Sequence, residues 1–174
     1  MSGIIRAVRS VFESVSCPLT NKAMPIKDRL LAGLAIFTLK YPSLLKYDEE
    51  TKQIKDNLKN LFDVDNLPSD TYMRERLDEI DPKELHTCFT NIFRDIQRSK
   101  YLEAYQHFKG HYLVSIDGTG YFSSKTVHCE QCCTKEHRDG SITYQHQILQ
   151  AAIVHPNLKQ VIPFAPEPII RQHG

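Results

Sequence analysis

The chain has 174 residues, of which 41% are hydrophobic and 25% charged, with 22 basic and 21 acidic side chains and a net charge of +1. That balance excludes wholesale disorder, and the few glycines and prolines exclude a fibrous or low-complexity chain. No apolar run approaches the ~20 residues that span a bilayer, and Arg6, Arg9 and Glu13 interrupt the start where a secretory leader would be apolar.

The first 110 residues read as helix. Ile4, Ile5, Val8, Val11, Phe12 and Val15 recur at three- and four-residue steps, one apolar stripe, and Cys17-Pro18 ends it. Pro25 suits a first helical turn, and Ile26 to Leu39 follow as a nearly all-apolar, buried helix stopped by Tyr41-Pro42. Ile54, Leu58, Leu61 and Phe62 predict a shorter helix from about Thr51. Ser69 or Asp70 caps a helix carrying Tyr72, Met73, Leu77 and Ile80. Asp81-Pro82-Lys83-Glu84 starts another, predicted to run to about Phe108 and to end at Gly110.

The period then changes from 3.6 to 2. His111 to Asp117 predicts a short strand ending in Gly118-Thr119-Gly120, Ile142 to Val154 a long strand, and Gln160 to Ala165 a third strand with Pro163 at an edge or bulge. The organisation is a helical region over 1–110 and a β region over 111–174, an α+β or α/β chain.

Two groups of residues bear on chemistry. Asp117 closes an apolar strand and precedes two glycines, a place where α/β folds put ligands and where a carboxylate holds a divalent metal; it equally starts an ordinary Asp-Gly turn. The string Asp117 to Gly120 is also similar to a phosphate loop of actin-like ATPases, but no second such loop is present. Of five cysteines, Cys129, Cys132 and Cys133 fall within five residues, beside His128 and His137. In a reducing, cytoplasmic setting such a cluster reads as a metal site or as free thiols. Cys129 and Cys132 have the spacing of a zinc knuckle, Cys133 and His137 complete a Cys3His set, and His128 is a spare ligand. So compact a cluster is strained, which leaves room for a ligand from elsewhere, such as His146, otherwise read with His155 as a hydrogen-bonded strand residue. Glu167 stands between prolines and reads as a solvated loop residue. Arg74, Arg76, Arg94, Arg98 and Lys100 suit phosphate contacts, yet Glu75, Asp78, Glu79 and Asp95 sit among them.

From about Leu67 the chain resembles insertion-sequence transposases of the DDE class. The resemblance lies in Leu67 to Leu77 (LPSDTYMRERL), His111 to Gly120 (HYLVSIDGTG), Phe122-Ser123-Ser124, His128-Cys129 with Cys132-Cys133, and Ala165 to Ile169 (APEPI), in that order. It implies a helical DNA-binding region, followed by the first three strands of a ribonuclease-H-like catalytic domain. Asp117 would be the first of three carboxylates that hold two Mg2+ ions for phosphodiester cleavage and strand transfer. It implies transposon-end DNA as partner, together with a second transposase chain; the helix face gives Arg74 and Arg76 as the candidate DNA contacts, and composition gives no membrane. No later strand or helix is legible to supply the second Asp and the Glu, so this chain alone is expected not to cut DNA. The alternative is a non-enzymatic, zinc-dependent module that binds DNA or protein.

Overall fold

A computed structural model describes residues 3–16, 24–78 and 80–170. They form an α+β chain that divides into two compact units, Met1–Ile92 and Phe93–Gly174. The division falls inside a helix, upstream of Gly110.

The first unit is helical: α1 (Gly3–Phe12), α2 (Ile26–Thr38), α3 (Leu44–Phe62), α4 (Asp70–Leu77), a 3-10 turn (Pro82–Leu85) and the start of α5 (His86–Arg98). Cys17-Pro18, the expected end of the first helix, lies outside the described residues. The α1 stripe is buried through Val8, Val11 and Phe12, as its period predicts. In α2, Leu31, Ala32, Ala35 and Ile36 are buried while Phe37 is 83% exposed, so this helix has an outward side despite its composition.

Three helix boundaries differ from expectation, of which the smallest is that α4 ends at Leu77, short of Ile80. The third helix begins at Leu44 instead of about Thr51, because Ser43 caps it: its side chain accepts from the Lys46 backbone N–H at 3.1 Å. The pair Lys46–Glu50, 2.8 Å apart at i,i+4, supports this added turn. The fifth helix ends at Arg98 and does not reach Phe108. Ser99 Oγ donates back to the Ile96 carbonyl at 2.8 Å, and Lys100 takes a left-handed conformation at φ 61°. A 3-10 turn, Tyr101–Tyr105, follows.

Tyr47 on α3 is 1% exposed, and its hydroxyl has no hydrogen-bond partner among the described residues. Burial, with smaller contributions from Tyr41 and Asp48, pushes its pKa from the ordinary 10.0 up to about 12. A phenol shifted this way stays neutral in the fold where the unfolded chain has ionised. Its contribution is complete below about pH 10 and is lost as pH rises toward about 12. Tyr47→Phe keeps the edge-on packing against Tyr41, at 5.4 Å between ring centroids. We expect it to be neutral or stabilising by up to about 1 kcal/mol at pH 7. Denaturant melts across pH 9–12 should show a shallower alkaline slope for Tyr47→Phe than for the wild type, with Tyr41 and Tyr105, also shifted upward, supplying the remainder.

The second unit carries one antiparallel sheet: β1 (Leu113–Ser124), β2 (Cys133–Glu136), β3 (Ile142–Val154), β4 (Ile162–Pro163) and β5 (Glu167–Ile169). Long β3 is its axis. It pairs along one side with β1, from Leu113↔Val154 to Ser124↔Tyr144. Along its other side it pairs in series with β2 at Ile142 to Gln145, β5 at Gln147 to Leu149, and β4 at Ala152 and Ile153. Leu102, Tyr105, Ile153 and Ile162 form the buried core of this unit, with Phe93, Ile96, Tyr112, Leu158 and Phe164 packed around them.

The strand over Ile142–Val154 has its expected bounds, but β1 does not stop at Asp117. It runs through Gly118-Thr119-Gly120 to Ser124, with a register shift at Tyr121. Only Gly110 and Gly140 have positive φ among the described glycines, so Gly118 and Gly120 stay extended and make no turn. Glu167, expected on a loop, opens β5 opposite Leu149.

Candidate metal centre

The connection from β1 to β3 (residues 125–141) contains the cysteines. Ser124 Oγ accepts from the backbone N–H groups of Thr126 and Val127, at 3.2 and 2.9 Å, and turns the chain back over the sheet. A tight turn follows, in which the Cys132 N–H donates to the Cys129 carbonyl at 3.2 Å. The two-residue gap thereby brings both sulfurs to one side, 3.8 Å apart, and the Cys129 N–H donates to Cys132 Sγ at 3.3 Å.

The third member comes from β3. His146 lies opposite Phe122 in the ladder, and directly opposed residues share a face of the sheet. Its ring is held between Tyr121, stacked at 5.8 Å, and Phe122, tilted at 5.6 Å. Nε2 then stands 3.4 Å from Cys129 Sγ and 3.3 Å from Cys132 Sγ. Cys132 is 2% exposed and Cys129 is open to solvent. Among the described residues this is the one group of three or more His, Cys, Asp or Glu whose ligand atoms converge closely enough for a metal ion, and it could hold one such as zinc.

The structure does not bring Cys133 and His137 to this cluster. Cys133 opens β2, pairs with Gln145 and so takes the face opposite to His146; its thiol donates to the Ile169 carbonyl at 3.5 Å. His137 Nε2 lies 2.7 Å from Thr143 Oγ1. His128 stacks on Tyr144 at 4.2 Å, with Nδ1 near the Thr126 carbonyl. Together with Cys129, Glu130, Cys132 and Thr134 it lines a depression of about 440 Å³. The Cys-x-x-Cys spacing was legible and His146 was a candidate from elsewhere; strand register is what selects it over Cys133 and His137.

Asp117 is exposed in mid-strand, opposite Gln150, and accepts from its own neighbour's N–H, Gly118, at 2.8 Å. Glu167 lies opposite Leu149, one residue from Gln150 along β3. Successive residues of a strand point to opposite faces, so Asp117 and Glu167 stand on opposite sides of the sheet. A two-Mg2+ site needs convergent carboxylates around ions ~3.5–4 Å apart. The described residues offer no such group, and they do not fit that pair of ions.

Arg74 pairs with Asp70 at 3.5 Å on the surface of α4, and the Arg76 guanidinium lies 5.8 Å from the Tyr72 ring centre. Both candidate phosphate contacts are therefore engaged within their own helix. Among the described residues no helix is long and apolar enough to cross a membrane.

No family model, curated protein or solved structure matches the chain.

Proposed function

We propose that this chain carries the first-carboxylate portion of a DDE-type transposase and serves DNA transposition. One observation carries the reading: Asp117 sits in the middle of the principal antiparallel pair, exposed and in no ion pair among the described residues. A carboxylate is a poor strand former, and here it lies between the exposed apolar residues Ile116 and Tyr121. The meander β1–β3–β4/β5 supports a ribonuclease-H-like start. So does the patch of exposed apolar residues Val114, Ile116 and Leu149 beside the buried Ile153, which further elements of such a domain would cover. The remaining carboxylates would come from residues beyond those described, and transposon-end DNA and a second transposase chain would be the partners.

The coding DNA flanking this segment, read in all three frames, tests the proposal. An Asp at a strand end and a Glu on a following helix, between inverted repeats, are expected; their absence would sink it. The chain alone, incubated with DNA and Mg2+ or Mn2+, is expected to leave the DNA intact. Cleavage that Asp117→Asn, shown to stay monodisperse, abolishes would show that this chain completes the site by itself.

A second reading, a non-enzymatic module that binds DNA or protein, is favoured by the convergence of Cys129, Cys132 and His146. It predicts binding that is lost on chelation and, for DNA, that falls steeply with salt.

A further inference from the structure

We propose that Cys129, Cys132 and His146 bind one Zn2+ ion that staples the β1–β3 connection to the sheet, and that Cys133 and His137 are not ligands. The inference is independent of the transposase reading.

The distances carry it. A tetrahedral zinc with Zn–S of about 2.3 Å and Zn–N of about 2.0–2.1 Å has S···S edges of about 3.8 Å and S···N edges of about 3.5 Å. The three observed edges are 3.8, 3.4 and 3.3 Å. The triangle is one face of such a tetrahedron.

A disulfide does not produce this triangle, and a single thiol hydrogen bond accounts for one of its edges only. A disulfide would need the sulfurs at about 2.05 Å. A thiol hydrogen bond would aim one S–H at the imidazole. Here both sulfurs approach the same Nε2, which offers either one lone pair or one proton. A central cation satisfies all three atoms at once. Binding displaces two thiol protons, so two thiolates, a neutral imidazole and Zn2+ sum to zero charge, which suits a site that includes the buried Cys132. Thiolate and imidazole donors in tetrahedral array select zinc over magnesium or calcium.

The ligands also have different local anchors. Cys129 and Cys132 belong to one turn, whereas His146 is fixed by the long ladder and by two aromatic rings. The ion would thus tie an irregular connection to the most regular strand of the unit. Short β2, which begins right after Cys132, would depend on that tie.

The test uses the full chain, expressed with zinc and purified under reducing conditions without chelator. Metal analysis by mass spectrometry is expected to give one zinc per chain, and replacement by Co2+ to give a tetrahedral thiolate spectrum. Cys132→Ser and His146→Gln should lower Co2+ affinity by more than the roughly tenfold to hundredfold that loss of an outer-shell partner costs. Cys133→Ser and His137→Gln should leave it unchanged. His146→Cys supplies another zinc ligand at the same place and should retain the metal, which separates lost ligation from lost folding. A folded wild-type chain without metal would overturn the proposal. So would metal retained in His146→Gln, or lost in Cys133→Ser or His137→Gln.

Discussion

Asp28→Ala is expected to destabilise the helical unit by about 3–5 kcal/mol, read as a drop in the midpoint of denaturant unfolding with unchanged slope. Asp28 is fully buried on α2, at 0% exposure. Its carboxylate accepts from Asn66 Nδ2 at 2.7 Å, from the Asn66 backbone N–H at 3.1 Å and from that of Asp65 at 3.4 Å. One side chain thereby satisfies the donors of the segment that follows α3. Truncation removes a charged acceptor and leaves donors without a partner, and a hydrogen bond to a charged group contributes about 1.5–3 kcal/mol. Asp28→Asn keeps one acceptor oxygen and should recover part of the loss. If Asp28→Ala melts like the wild type, the carboxylate does not organise that segment.

Ile153→Ala is the second large effect, about 3 kcal/mol, confined to the sheet unit. Ile153 is the point where β1, β3 and β4 meet, opposite Val114 on one side and Ile162 on the other. It belongs to a buried core of four residues, so a cavity there has few neighbours with which to collapse. The expected readout is faster amide hydrogen exchange along β1 and β3, with the amides of α2 and α3 unchanged. Protection that survives in β3 would show that this small core does not hold the sheet.

These two residues mark what could and could not be read from sequence. The strand that carries Ile153 was legible, because the run Ile142–Val154, rich in β-branched residues, reads as a long strand and gave β3 its bounds. Asp28 was not, since it interrupts an apolar helix and its partners lie 37 and 38 residues downstream. The same contrast holds at the metal centre. Cys129 and Cys132 are local, and spacing alone pairs them. Choosing His146 over His137 requires the register Phe122↔His146 and the pleat that turns Cys133 to the other face. Gly118 and Gly120 misled for a related reason: glycine permits a turn without requiring one.

The length of β1 has a practical consequence. Among the described residues it pairs only with β3, so its outer margin is an unpaired row of N–H and C=O groups over 12 residues. Such margins recruit other chains unless charge, proline or curvature discourages them. Between Leu113 and Ser124 there is no proline, and the sole charged side chain is Asp117. The residue proposed for metal chemistry is therefore also the strand's only electrostatic guard against self-association. Asp117→Asn removes both properties at once, and an inactive, aggregated variant would be misread as a catalytic loss. Asp117→Glu keeps the charge while displacing the carboxylate by one methylene, which makes it the cleaner probe.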